Sequence, residues 1–271
     1  MQDVLSSQSE KRVGNNGYVK LIDCMPRLVT PPMMGDQAIV DAARVSYKTC
    51  QQKSSDKGLI NYLLRHDHTT PFEMVTLKFL IKMPLYIARQ HMRHRTASVN
   101  EISGRYTELP TDVYVPDTIA FQSKENNQGS GEPISDPQLL ELFNKHVRSE
   151  EKFDAYHELI EGGVAKETAR IILPLNTYTE FYWQMNLHNL LHYIRLRIDS
   201  HAQREIREYA EAMLEIIRPI VPHTVEAFEK YKLESMTLSR EEVEAIRTNQ
   251  RDLATGRETK EFKLKCDRLG I

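Results

Sequence analysis

The sequence predicts a globular chain that mixes helix and strand. Three observations predict it. The 271 residues are 40% hydrophobic and 27% charged, as in an ordinary folded protein. Apolar residues alternate in two segments and recur at helical spacing in several others. No run approaches the roughly 18 apolar residues of a membrane span.

Residues 1–17 are polar and are expected to fray. Tyr18–Cys24 alternates like a strand. Pro31 and Pro32 interrupt regular structure after that strand, and Asp36 can cap a helix over Gln37–Val45, with Ile39, Ala42, Ala43 and Tyr47 at helical spacing. A second helix is predicted over Gly58–Arg65. After the polar stretch His66–Pro71, Glu73–Met83 reads as a strand with Val75, Leu77, Phe79 and Ile81 on its buried face. Pro84 suits the first turn of a helix running to about His94.

From Val115 to Asp136, prolines, glycines and asparagines crowd a segment with little periodicity, which predicts a surface excursion within the domain. A long helix is expected over Gln138–Leu159, stopped by Gly162 and Gly163. A short helix over Val164–Ile172 ends before Pro174. Thr179–Arg197 reads as the strongest helix, carrying the lone tryptophan Trp183 with Leu187, Leu190, Leu191 and Ile194. His201–Ile217 is a further amphipathic helix. The organisation expected is a frayed segment 1–17, a main folded domain 18–234 and a charged helical extension 235–271. In the extension, Ser239 and Glu242 form a capping box.

Charge narrows the function. Thirty-six basic against 38 acidic side chains give a net charge of −2, which excludes a polybasic nucleic-acid binder and makes any basic site local. Three scattered cysteines, Cys24, Cys50 and Cys266, make neither a disulfide framework nor a zinc knuckle. With no secretory signature at the start, the expected compartment is the cytoplasm.

The chemistry concentrates at Gln90–Tyr106. Arg93, His94, Arg95 and Arg105 lie within thirteen residues, interleaved with Ser98, Asn100, Glu101 and Ser103. Arginine forks bind phosphate oxygens bidentately, hydroxyls and loop amides add neutral donors, and Gly104 permits close ligand approach. The alternative is a solvated basic loop. A second group comprises Arg170 and, downstream, Asn186, His188, Asn189, His192, Arg195 and Arg197. His188 and His192 share a helix face. With His201 they could chelate zinc, but the glutamate of His-Glu-x-x-His is missing, and the other reading is a pair of partly exposed helix histidines. His66 and His68 flank Asp67 either as a ligand loop or as a helix-ending turn. Ser103 lacks a Gly-x-Ser-x-Gly elbow, which leaves it as a phosphate ligand or a nucleophile. The cysteines lack an activating pattern. Neither the dinucleotide nor the P-loop glycine motif is present.

Arg93-His94-Arg95-x-x-Ser98-x-Asn100-Glu101-x-Ser103-x-Arg105-Tyr106 resembles the signature of the flavin-dependent thymidylate synthases at every fixed position. The resemblance extends to His68–Glu73, Ala88–Gln90, Ala169–Pro174 and Leu196–Ile206, and spans roughly Asp36 to Phe228. It implies an α+β fold, a mostly antiparallel sheet flanked by long helices in a single domain. The activity implied is methylation of dUMP to dTMP, with methylenetetrahydrofolate as carbon donor and NADPH as reductant through bound FAD. It also implies a homotetramer with shared active sites; from charge, apolar run length and ligand spacing, no nucleic-acid, membrane or metal partner is expected. Carried over by position, FAD contacts fall on Thr70, Arg93, His94, Arg95, Glu101, Asn186, His188 and His192. The dUMP site falls on Gln90, Arg93, Glu101, Ser103, Gly104, Arg105, Arg170 and Arg197. Arg197 is the catalytic residue at the uracil ring, and His68 and Tyr106 lie near the folate or flavin edge. Met74 stands where the family usually has histidine.

Overall fold

The computed structural model describes residues 9–27, 34–47, 54–124, 128–148, 150–250, 252–253 and 255–271. Pro31, Pro32, Cys50, Asn126 and Asn127 lie outside the described residues. The chain divides into two compact units, residues 1–228 and 229–271.

The first unit is α+β, built on a five-stranded sheet in which every pair of neighbours is antiparallel. Its strands are β1 (Glu10–Val13), β2 (Gly17–Met25), β3 (Thr76–Pro84), β7 (Tyr178–Asn186) and β4 (Ser98–Glu101), in that spatial order. The central strand β3 owes its place to its alternation: Leu77, Phe79, Ile81 and Met83 are fully buried. On β7, Met185, Trp183 and Phe181 stand directly opposite Leu77, Phe79 and Ile81. These cross-strand apolar pairs form the middle of the core.

Helices cover this sheet. The first are α1 (Met34–Arg44), α2 (Asp56–Arg65), α3 (Leu85–His91), α4 (Pro137–Val147), α5 (Glu150–Glu161) and α6 (Lys166–Ala169). After β7 come α7 (Leu187–Ile198), α8 (Arg204–Ile217) and α9 (Pro222–Phe228). The α8 helix packs on β1 and β2 and against α7 and α3. Asp36, buried at the start of α1, accepts from the backbone N–H groups of His223 (2.7 Å) and Thr224 (3.1 Å) and so caps α9. No helix among the described residues is long and apolar enough to cross a membrane.

The second unit holds α10 (Arg240–Thr248) and α11 (Gly256–Leu269) around Ala245, Phe262 and Cys266. The Ser239–Glu242 capping box is formed, and Lys265 bonds the buried Glu242 at 2.7 Å.

Four expectations need correction. Part of the segment expected to fray is a strand: β1 pairs with β2, Val13 is buried, and the Tyr178 hydroxyl donates to Asn15 at 2.7 Å. Polar composition hid it because an edge strand needs only one apolar face. Thr179–Arg197 is not one helix. Phe181, Trp183 and Met185 point inward while Tyr182 and Gln184 point outward, a period of two that ends where Asn186 caps α7. The helical spacing from Trp183 to Leu187 spans a strand–helix junction by coincidence. The helix expected over Gln138–Leu159 is two helices, and Glu150 and Glu151 suit the start of the second by opposing its dipole. Finally, the excursion contains a two-stranded ribbon, β5 (Ala120–Gln122) with β6 (Ser130–Pro133).

Candidate functional site

The site is built on the two helices that emerge from the sheet and on its edge strand. Strand β3 feeds directly into α3, which ends at His91 and releases the Arg93–Arg95 turn. Strand β7 feeds into α7, whose last turn carries Arg197. The two meet side by side. Arg197 Nε donates to His94 Nε2 at 2.9 Å, and its Nη2 donates to the Gln90 carbonyl at 3.2 Å.

This geometry fixes His94 chemically. A ring nitrogen that accepts from guanidinium carries no proton, so His94 is neutral with its proton on Nδ1. Burial, then the Arg197 charge, then His192 push its pKa down to about 4. The ring of Tyr193 packs edge-on against His94, with centroids 4.8 Å apart. Behind it lies His91, fully buried, bonded through Nδ1 to the Tyr193 hydroxyl at 2.9 Å, with a pKa lowered to about 3 chiefly by burial. Arg197 is thus seated on neutral acceptors and keeps an uncompensated charge.

The second half of the site lies along β4 and the turn after it. All four β4 residues are exposed, while the buried Thr179 on β7 donates to Glu101 Oε1 at 2.5 Å. The turn closes as the Tyr106 and Thr107 N–H groups donate to the Ser103 carbonyl, both at 3.1 Å. Gly104 is required by close approach: a Cβ there would stand 2.9 Å from Leu109 Cδ1 and 3.0 Å from Arg170 Cδ. A cavity of about 620 Å³ is lined by Glu101, Gly104, Glu167, Arg170 and Thr179 among others. Arg105 Nε donates to the Glu167 carboxylate at 2.8 Å, and Arg170 Nε to the Glu167 carbonyl at 3.3 Å. Two arginines from distant parts of the chain therefore end on one residue.

The remaining predicted residues are dispersed. Thr70 and His68 line a different cavity of about 540 Å³ with Tyr62 and Met74. His66 ends α2 and Asp67 adopts φ 57°, so this segment does terminate the helix. Asn186 caps α7 by accepting from the Asn189 N–H at 2.9 Å. His192 lies 6.4 Å from His94, ring to ring, and His188 is half-buried on the same helix. Gln90 donates to the Gln203 side chain at 2.5 Å. Tyr106 is 82% exposed. Among the described residues, no three His, Cys, Asp or Glu side chains gather to hold a metal ion.

Sequence reasoning missed Glu167, Thr179 and His91. Glu167 had a signal, an acid three residues before Arg170. Thr179 had one in the alternation of β7, masked by the helical reading.

An FAD pyrophosphate requires cations that no carboxylate already neutralises. Arg93 and Arg95 meet that condition: both are exposed, and among the described residues neither has an acidic partner. The residues fit the group.

Fold and site together define a class, an α+β protein that gathers arginines at the edge of an antiparallel sheet. Comparison with known proteins gives the family. Residues 27–223 match the family described as "Thymidylate synthase complementing protein". A flavin-dependent thymidylate synthase of Dictyostelium discoideum is 48% identical over 264 residues, covering 96% of this chain and 87% of the relative. One from Thermus thermophilus is 48% identical over 237 residues, covering 86% and 83%. Among solved structures, a UMP/dUMP methylase from Streptomyces cacaoi bound with 5-Br UMP is similar at a TM-score of 0.70 and 33% identity, covering 83% of this chain and 99% of that one. The chain belongs to the flavin-dependent thymidylate synthase family.

Proposed function

We propose that this protein methylates dUMP to dTMP as a flavin-dependent thymidylate synthase. One observation carries the reading beyond family membership: Arg105 and Arg170 converge on Glu167 at the wall of a cavity, where Gly104 lets Arg170 pack closely, a ready-made anion receptor. In this reading Arg105, Arg170, Ser103 and Gly104 take the nucleotide phosphate, with Gln90, Arg93 and Glu101 completing the dUMP site. Arg93, Arg95, His94, Thr70, Glu101, Asn186, His188 and His192 hold FAD. Bound FAD supplies hydride transfer, with NADPH as electron source and methylenetetrahydrofolate as carbon source.

The chain's own part is orientation and charge. Arg197 faces the uracil ring and stabilises the negative charge that develops on the pyrimidine. Neutral His94 holds that arginine without quenching it. No enzyme nucleophile is needed, in keeping with cysteines whose sequence surroundings show no activating pattern. The Thr70 cavity, the His94–Arg197 pair and the Glu167 cavity are separate places on one chain, which supports active sites assembled from several copies, as in a homotetramer. We assign the enzyme to the cytoplasm.

Spectroscopy and turnover test this. The purified protein should be yellow with the absorption bands of bound FAD, and should form dTMP only when dUMP, NADPH and methylenetetrahydrofolate are all present. A colourless protein that takes up neither flavin nor dUMP overturns the reading.

A further inference from the structure

We propose that Thr179 is a positioning residue that holds the Glu101 carboxylate away from the arginines that flank its strand and thereby sets the affinity for the nucleotide. The proposal rests on the reading of the 620 Å³ cavity as the dUMP site.

Glu101 poses a problem of charge. It sits in a segment with Arg93, Arg95 and Arg105, and a mobile carboxylate among guanidinium groups forms bidentate pairs with them. Such a pair would cancel charge that the nucleotide needs. Yet among the described residues Glu101 pairs with none of them, and Arg105 is turned instead to Glu167. What holds Glu101 is the Thr179 hydroxyl, 2.5 Å from Oε1.

The placement of Thr179 makes that hydroxyl a directed donor. Thr179 is 3% exposed, lies on β7 opposite Met83 of β3, and lines the same cavity as Glu101. A buried hydroxyl needs a partner, and water has little access to provide one. The backbone adds register: the Ile102 N–H donates to the Glu180 carbonyl at 2.9 Å, fixing the chain just beyond Glu101 against β7. A donor from β7 and a clamp on the following residue hold the carboxylate towards β7.

The experiment is a double-mutant cycle in the full-length holoenzyme, with dUMP binding read by equilibrium dialysis and folding by melting temperature. Thr179→Val is nearly isosteric and should weaken dUMP binding about tenfold, the loss expected when a hydrogen bond to a charged group is removed. Thr179→Ser keeps the hydroxyl and should bind dUMP within about twofold of wild type. Thr179→Ala should match Thr179→Val in binding whatever it does to melting. In a Glu101→Gln background, Thr179→Val should cost nothing further, because no charge remains to be kept off the arginines. Full additivity of the two substitutions, or wild-type binding by folded Thr179→Val and Thr179→Ala, overturns the proposal alone. A folded wild-type protein that takes up no dUMP overturns the nucleotide reading and this proposal with it.

Discussion

Arg197 and Arg105 carry the same guanidinium group and meet opposite surroundings. Arg197 is half-buried and donates to two neutral acceptors, the His94 ring and the Gln90 carbonyl. Arg105 is exposed and donates to a carboxylate, Glu167. The first arrangement fixes geometry and preserves charge, as an electrostatic stabiliser of a transition state requires. The second gives up charge to an internal anion that an arriving phosphate can replace, as a binding residue requires. In the proposed reading, neutral partners mark where charge is used in the reaction, and a displaceable charged partner marks where ligand is exchanged.

The largest expected effect breaks the first arrangement. Arg197→Ala should lower dTMP formation by roughly 10²–10³-fold, the range found when a single preorganised donor is removed from a reacting centre. Flavin absorbance should be retained. Arg197→Lys should recover little, since a single ammonium does not reproduce the Nε and Nη2 contacts together. Near-wild-type turnover in Arg197→Ala would remove the contrast between the two arginines.

Next in size is the second arrangement. Arg105→Ala should raise the KM for dUMP about 10- to 100-fold, the loss of a charge-assisted hydrogen bond, with a smaller change in kcat. An unchanged KM would take Arg105 out of the phosphate site.

A smaller effect concerns the acid side of the first arrangement. His94 and His91 have pKa values lowered to about 4 and about 3 from an ordinary 6.5. Between those values and 6.5 the unfolded chain binds protons that the folded chain refuses. Stability therefore rises with pH across that window and falls as acid is added. The melting temperature should drop from about pH 6.5 towards about pH 4, and His94→Gln, which can still accept from Arg197, should flatten part of that slope. An equal slope in His94→Gln would mean that other groups carry the acid sensitivity.

These two arginines also show what a sequence makes legible. The Arg93–Tyr106 pattern was readable because it is local: nine fixed residues in fourteen, on one edge strand and the turns on either side of it. The alternation of β3 was readable for the same reason, and so was the antiparallel α+β class through family resemblance. The partners that distinguish Arg197 from Arg105 were not. Arg197 meets His94 across 103 positions and Arg105 meets Glu167 across 62. Only the sheet, by seating β7 between β3 and β4, brings those segments together. Strand β7 itself was hidden because Trp183, Leu187, Leu190 and Ile194 mimic a helical stripe through the junction at Asn186, and Thr179 was lost with it. The edge strand β1 was obscured by its polar composition.

The smallest expected effect sharpens the comparison most, because its sign is opposite to that of an ordinary disabling mutation. If Glu167 occupies Arg105 in place of a phosphate, the enzyme must break that pair each time dUMP binds. Removing the carboxylate charge should then improve binding. Both partners of the pair are more than half exposed, so solvent screens it and its worth is at most about 1 kcal/mol. Glu167→Gln should accordingly lower the KM for dUMP by only about two- to fivefold, the factor that such a pair allows. The gain should shrink as salt is raised, since screening already weakens the wild-type pair. Arg170 also bonds the Glu167 backbone carbonyl, which the substitution leaves in place, so the receptor should keep its shape. A rise in KM on Glu167→Gln would instead mean that Glu167 aligns Arg105 for the nucleotide, and both arginines would then be prearranged rather than one held and one released.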